Sequence, residues 1–303
     1  NYITNAKAEY SLVLSGDHIY RMDYKKFWDF HRSKKADISI SVQPVTAEEA
    51  TSLGILKTNE HQRIVKFVEK PDKDQLDDLK SPGLPDEKPF LASMGIYLFD
   101  TNTLIDKLNS IHEHDFGHDI IPLTINTNKV FGYKFNGYWK DIGTIKSFFE
   151  SNLELAGHNP PFSFFDEEAP VYTRARSLPG SRVDNAEISN SLLADGGKIY
   201  ECELNNSVIG LRSYVDKGSR LENVVMMGAD YYEQEVEGEI PRIGIGKNCH
   251  IKNAIIDKNV RIGDNVKIVN KDNATNKESE YYEIKDGIIV IPKNTIINSG
   301  TEI

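Results

Sequence analysis

The sequence predicts an α/β domain followed by a parallel β-helix, and three observations carry that prediction. Through the first half, strand and helix signals alternate, the pattern of an α/β layer structure. Near Pro160 and Pro161 the alternation breaks into an irregular stretch. Beyond it, aliphatic residues recur six apart: Ile209, Val215 and Leu221; Ile256, Ile262 and Ile268; Val260 and Val266; Ile291, Ile297 and Ile303. A six-residue repeat without helical spacing marks a coil of three sides, each turning an aliphatic side chain inward. The 303 residues are enough for about two domains, and the boundaries fall at 1–157, a linker over 158–182, and 183–303.

In chain order, Leu12, Val13 and Leu14 predict a short buried strand. Asp23 is placed to cap a helix in which Tyr24, Phe27, Trp28 and His31 share a face. Ile38, Ile40 and Val42 alternate with polar residues, as in a half-buried strand. Gly54 to Lys57 and Arg63 to Val68 predict a hairpin turning near Asn59 and Glu60. Residues 72–89, rich in Asp, Lys and Pro, predict an exposed loop. Leu91 to Phe99 reads as a strand, Thr101 to Leu108 as a helix, and Val130 to Phe135 as a strand; Phe148, Phe149 and Leu153 mark a helix ending near Gly157. In the second half, Gly228 to Pro241 and Lys271 to Lys285 interrupt the rhythm and predict loops projecting from the coil.

Composition narrows the function classes. A net charge of −10 and a pI near 5.4 have the wrong sign for a general nucleic-acid or anionic-membrane binder, so an anionic ligand must meet a local cluster of positive charge. No apolar run approaches the roughly 18 residues of a membrane helix, and the first residues show neither a signal-peptide apolar region nor an Arg-rich transit pattern. Cys202 and Cys249 give no disulfide framework and no zinc spacing; they predict buried thiols in a reducing compartment. The histidines show no HExxH spacing, and His112 and His114 predict surface residues rather than a metal pair. Gly244-Ile245-Gly246-Lys247 has a GxG but no following helix, which excludes a dinucleotide fingerprint there, and no Walker motif occurs.

Chemistry concentrates where strands end, because open α/β sheets bind ligands beyond the carboxyl ends of their strands. Leu12-Val13-Leu14-Ser15-Gly16-Asp17-His18 puts a carboxylate at the end of a strand, and Gly16 allows close backbone approach. In Gly137-Tyr138-Trp139-Lys140-Asp141-Ile142-Gly143-Thr144, Asp141 again precedes a glycine and a helix start. Two such aspartates can share one Mg²⁺, a hard ion that takes one or two protein carboxylates and fills its shell with phosphate oxygens and water. Each taken alone is equally a turn or cap residue. In Phe67-Val68-Glu69-Lys70-Pro71, a lysine between strand and proline is held extended, able to reach an anion or simply solvated. Ser93-Met94-Gly95-Ile96-Tyr97 and His114-Asp115-Phe116-Gly117 offer groups that either line a sugar pocket or pack.

Taken together and in this order, SGDHIYRMDY, FVEKP, LASMGIYLFD, HDFGHDIIP, GYWKDIGT, VIGLRS, MMGADYYE, IGIGKN and AIIDKNVRIGDNVKI resemble the ADP-glucose pyrophosphorylase (glucose-1-phosphate adenylyltransferase) family over essentially the whole chain, its cyanobacterial and plastid type most of all. The resemblance implies a Rossmann-like nucleotidyltransferase α/β domain, N-terminally incomplete, followed by a left-handed β-helix. It implies ATP and glucose 1-phosphate as substrates, Mg²⁺ as cofactor, and ADP-glucose for glycogen or starch synthesis as product. Asp17, Lys70 and Asp141 would be the catalytic residues, the two aspartates holding the Mg²⁺ and Lys70 binding the phosphate of glucose 1-phosphate. Glu69, Ser93 and Tyr97 would contact the sugar. Lys258 and Lys293 would bind a phosphorylated allosteric effector, with phosphate as inhibitor, and the two ammonium groups are expected close together. The complete protein is expected to be a tetramer, bacterial and cytoplasmic or in the plastid stroma. The family's Gly-rich phosphate loop, GGGxGTRLxPLT, lies roughly a hundred residues before SGDH; only 14 residues precede Ser15 here, so the chain alone is expected to be inactive. The alternatives are a non-catalytic regulatory subunit of the same enzyme and a related sugar-phosphate nucleotidyltransferase. A hexapeptide acyltransferase would need a coil histidine as base, for which His250 alone stands in the coil, and would leave the α/β half unexplained.

Overall fold

In the computed structural model the described residues are 2–110, 116–233 and 240–303, so His112, His114 and Asp115 lie outside them. The chain forms two compact units, 1–141 and 142–303. The first opens with α1 (Tyr2–Ala6), β1 (Tyr10–Leu14) and β2 (His18–Tyr20), followed by α2 (Tyr24–Lys34), β3 (Ile38–Val45) and α3 (Ala47–Ala50). It continues through β4 (Gly54–Thr58), β5 (Ile64–Glu69), β6 (Phe90–Asp100), α4 (Thr101–Ser110), α5 (Ile121–Thr124), β7 (Val130–Lys134) and β8 (Trp139–Asp141). Five strands run in the order β5-β4-β6-β3-β7, with β1 antiparallel to the second half of β6. β3 and β7 are parallel and the other pairs antiparallel, giving a mixed sheet.

Local chemistry sets these boundaries. Asp23 caps α2 by accepting from the N–H groups of Lys25 (2.9 Å) and Lys26 (3.4 Å), and Lys35 at φ 47° ends it. Phe27 and His31 fall on the buried stripe of that helix.

Several sequence expectations are corrected in the first unit. β3 is buried on both faces, Ser39 and Ser41 included, because it lies between β6 and β7. β1 is not buried: Leu12 and Leu14 are 40% and 44% exposed, since among the described residues the strand is paired along one side only. Residues 72–89 are not all open loop, because a 3₁₀ turn at Lys73–Leu79 buries Leu76 and Leu79 in a small core with Val45, Ile55 and Phe90.

The second unit begins with α6 (Ile145–Ala156), capped by Thr144 and Ser147, whose Phe149 packs on Val225, Ile255 and Ile288 of the coil. After an irregular segment the chain winds into parallel coils. Register stacks three aliphatic rows, one per side: Val183, Ile199, Val215, Ile245, Ile262 and Ile297; Ile188, Leu204, Leu221, Ile251 and Ile268; Leu193, Ile209, Met226, Ile256 and Ile291. Apart from Val183 and Ile188, which are exposed, these rows with Cys202 and Cys249 form one continuous core, with Leu193 partly buried against it. At the corners asparagine takes the left-handed conformation that its short polar side chain tolerates best among non-glycine residues. Asn206, Asn223 and Asn253 (φ 46°, 52° and 49°) pass amide hydrogen bonds along the stack at 2.8 and 2.9 Å. The insertion near 271–285 is more than a projecting loop, because Lys277–Glu278 and Glu283–Lys285 extend the sheet antiparallel beside Ile288–Ile291.

Candidate functional site

The first cluster is assembled by a strand pair with no local signal. β2 and β8 form a two-stranded antiparallel ribbon whose register sets His18 opposite Asp141 and Tyr20 opposite Trp139. Because Asp17 immediately precedes β2, ligand atoms of Asp17, His18 and Asp141 come within 4.8 Å of one another. His18 Nε2 stands 3.6 Å from an oxygen of each aspartate. Asp17 is more exposed than Asp141, and its carboxyl is held below the usual carboxylate range first by the Ser15 hydroxyl, which donates to it at 2.5 Å, and then by nearby His18.

The turn carrying Asp17 is seated on a bulge of β6. Between Ile40 opposite Tyr97 and Val42 opposite Ser93 the register slips, and Gly95 sits in the slip at φ 64°. Its carbonyl accepts from the Ser15 N–H at 2.9 Å, and its own N–H donates to Ser93 Oγ at 3.3 Å. A Cβ at Gly95 would meet Ser15 Cβ at 2.9 Å and His18 Cε1 at 3.1 Å, so only glycine fits. Met94, one residue before, turns its carbonyl to His18 Nδ1 at 2.7 Å.

The other sequence candidates fall around this turn or beside a neighbouring cleft. Ser93 Oγ lies 3.5 Å from the Tyr97 hydroxyl, but the Tyr97 ring is core, stacked on Phe116 at 5.8 Å. Glu69 pairs with Gly54 across the β4–β5 hairpin, and its carboxylate occupies the space a Cβ on Gly54 would fill. Lys70 is not extended: at φ 44° it turns the chain out of β5 toward Pro71, and its N–H donates to Leu53 O at 3.1 Å. Leu53 and Asp141 both line a cleft of about 590 Å³, together with Gln43, Glu49 and Lys88. Gly95 thus joins Ser93 to the Asp17 turn, and Leu53 brings the Lys70 backbone to the cleft that Asp141 borders.

A second cluster lies on the coil. Lys258 and Lys293 both reach Asp230, at 3.1 and 2.8 Å, and Asn259 donates to the same carboxylate at 3.1 Å. These donors, Lys293 foremost, hold the Asp230 carboxyl well below the usual carboxylate range, and Asp230 in turn raises Lys293. A few residues on, Glu233 pairs with Arg261 and accepts from the Ile243 N–H at 2.9 Å, so two acids fasten this segment to the coil. Sequence reasoning missed two groups. His18 stood inside a quoted motif without a role, and Asp230 stood inside MMGADYYE without a link to the lysines.

Residues 1–157 match the family described as Nucleotidyl transferase, and residues 176–302 match that described as GLGC left-handed parallel beta-helix domain. The chain is 44% identical over 313 residues to the chloroplastic/amyloplastic glucose-1-phosphate adenylyltransferase small subunit of Triticum aestivum. That match covers 96% of this chain and 66% of the relative, so the chain spans just under two thirds of the relative's length.

Proposed function

Since the chain belongs to the nucleotidyl transferase family, we propose that it carries the sugar-phosphate side of an adenylyl-transfer site making ADP-glucose and pyrophosphate from ATP and glucose 1-phosphate. The observation that carries this reading is the β2–β8 register, which gathers Asp17 and Asp141 beside the cleft. The name of the wheat relative supports the same chemistry. An oxygen of the sugar phosphate forms the new bond to the α-phosphorus of ATP while the bond to pyrophosphate breaks in line, and no covalent enzyme intermediate is needed. Catalysis is then mostly positioning and charge neutralisation.

Two carboxylates that approach each other, one with a depressed pKa, are the donor chemistry of a hard divalent ion. Asp17 and Asp141 would hold Mg²⁺, which when bound supplies neutralising charge to the transferring phosphoryl group. Lys70 binds the phosphate of glucose 1-phosphate, while Glu69 and Ser93 orient the sugar and Tyr97 supports Ser93 through its hydroxyl. On the coil, Lys258 and Lys293 form the site of a phosphorylated effector.

Calorimetric titration of the chain with glucose 1-phosphate tests this. A charge-assisted hydrogen bond to phosphate is worth about 1.5 to 3 kcal/mol, so Lys70→Ala should weaken binding roughly 10- to 150-fold. Unchanged affinity in a folded Lys70→Ala chain would remove Lys70 from the site, and failure of the unaltered chain to bind the sugar phosphate would remove the reading altogether.

A further inference from the structure

His18 is the one member of the metal-ligand cluster that the two-carboxylate reading does not use. Its side chain is only 10% exposed, and its two ring nitrogens have different surroundings. Nδ1 lies 2.7 Å from the Met94 carbonyl oxygen, so the proton is on Nδ1, because a bare lone pair at that distance from a carbonyl would be repelled. The Trp139 indole N–H, 3.4 Å from the same nitrogen with the rings edge to face, is the longer and weaker contact. In the neutral imidazole, Nε2 therefore carries its lone pair toward Asp17 and Asp141. At 3.6 Å from each it is too far for a hydrogen bond. The separation nevertheless suits a shared ion, since two donors each about 2.1 Å from one cation lie at most roughly 4.2 Å apart.

We propose that His18 Nε2 is a third ligand of the cation held by Asp17 and Asp141, and that it biases the site toward Mn²⁺ or Co²⁺ over Mg²⁺. The inference rests on the two-aspartate site proposed above and adds to it. A histidine ligand commonly gives its other N–H to a backbone carbonyl or carboxylate, which fixes ring and tautomer, and the Met94 carbonyl is placed to do this. The β6 bulge and Gly95 aim that carbonyl. Imidazole nitrogen suits transition-metal ions better than Mg²⁺, whose preferred partners are oxygens.

Mn²⁺ alone, titrated into the 303-residue chain and followed by electron paramagnetic resonance, tests the assignment without any turnover. The expected result is a directly coordinated nitrogen coupling in the pulsed spectrum, which changes isotope when the chain is made with ¹⁵N-histidine. In His18→Gln the coupling should vanish and Mn²⁺ affinity fall by at least about 10- to 100-fold, the loss that removal of even an outer partner brings. Mg²⁺ affinity should fall less, so the preference between the two ions shrinks. Mn²⁺ that binds in an Asp17- and Asp141-dependent way with no nitrogen coupling overturns the role of His18 and leaves the carboxylate site standing. Mn²⁺ binding that is unaltered in both Asp17→Asn and Asp141→Asn, or no binding at all, overturns both. The isotope exchange needs no substitution, so a misfolded variant does not decide the outcome.

Discussion

Asp230 gives the coil lysines an anion drawn from the chain itself. An effector phosphate that is to sit between Lys258 and Lys293 must first displace a carboxylate already bonded to both and to Asn259. Asp230→Asn keeps the size of the side chain and removes the competing charge. Inorganic phosphate should then bind the chain more tightly, by roughly 2- to 30-fold, the range spanned by two exposed ion pairs. The gain should shrink as salt screens the charges. Calorimetry with phosphate reads it directly, and equal affinity in the two chains would mean that the carboxylate does not guard the lysines. At this scale the sequence was legible in part. Asp17 and Asp141 stand out because each lies at or just beyond a strand end with a glycine one or two residues away, whereas Asp230 is 28 residues from Lys258 and only the stacking of coils makes them neighbours. His18 has no ligand spacing in the sequence, because its partner Asp141 arrives by a strand pairing rather than along one helix.

Among elements, β6 does most to shape the site. Its bulge lets one strand pair with β4 near one end and β1 near the other while β3 follows the opposite side, and the slip between them falls at Gly95. Gly95→Ala forces a Cβ against Ser15 and His18 in a left-handed backbone, so the Asp17 turn must shift. The expected outcome is a loss of about 1 to 3 kcal/mol in stability by urea unfolding, together with weakened Mn²⁺ binding. Full retention of both would show that the turn does not depend on the bulge. The motif around Gly95 was visible in the sequence, but a bulge is set by which residues of two strands face each other, and that pairing leaves no periodic trace. β3 was misjudged for a related reason: serine alternating with isoleucine resembles a wet face until the neighbours on both sides are known.

At the level of the whole chain, the coil was the most legible part, because every side contributes the same kind of inward residue and the repeat is written locally. Even so, the step from one side to the next is not always six residues: Ile199 to Leu204 and Leu204 to Ile209 are five, whereas Ile209 to Val215 is six. Both thiols are buried in the coil, and burial pushes Cys202 up to about 11 and raises Cys249 as well, whereas residues 1–141 contain no cysteine. The molecule therefore holds two chemical clocks at different heights of one stack, silent toward a thiol reagent until the coil around each opens. Coils of a repeat structure depend chiefly on their neighbours, and Cys249 Sγ lies 3.1 Å from the carbonyl of Gly263, next to buried Ile262. Ile262→Ala, at a cost of roughly 2 to 5 kcal/mol, should speed labelling of Cys249 about 30- to 4,000-fold. Cys202 should respond less, and equal acceleration of both would mean that the coil opens as one body rather than turn by turn.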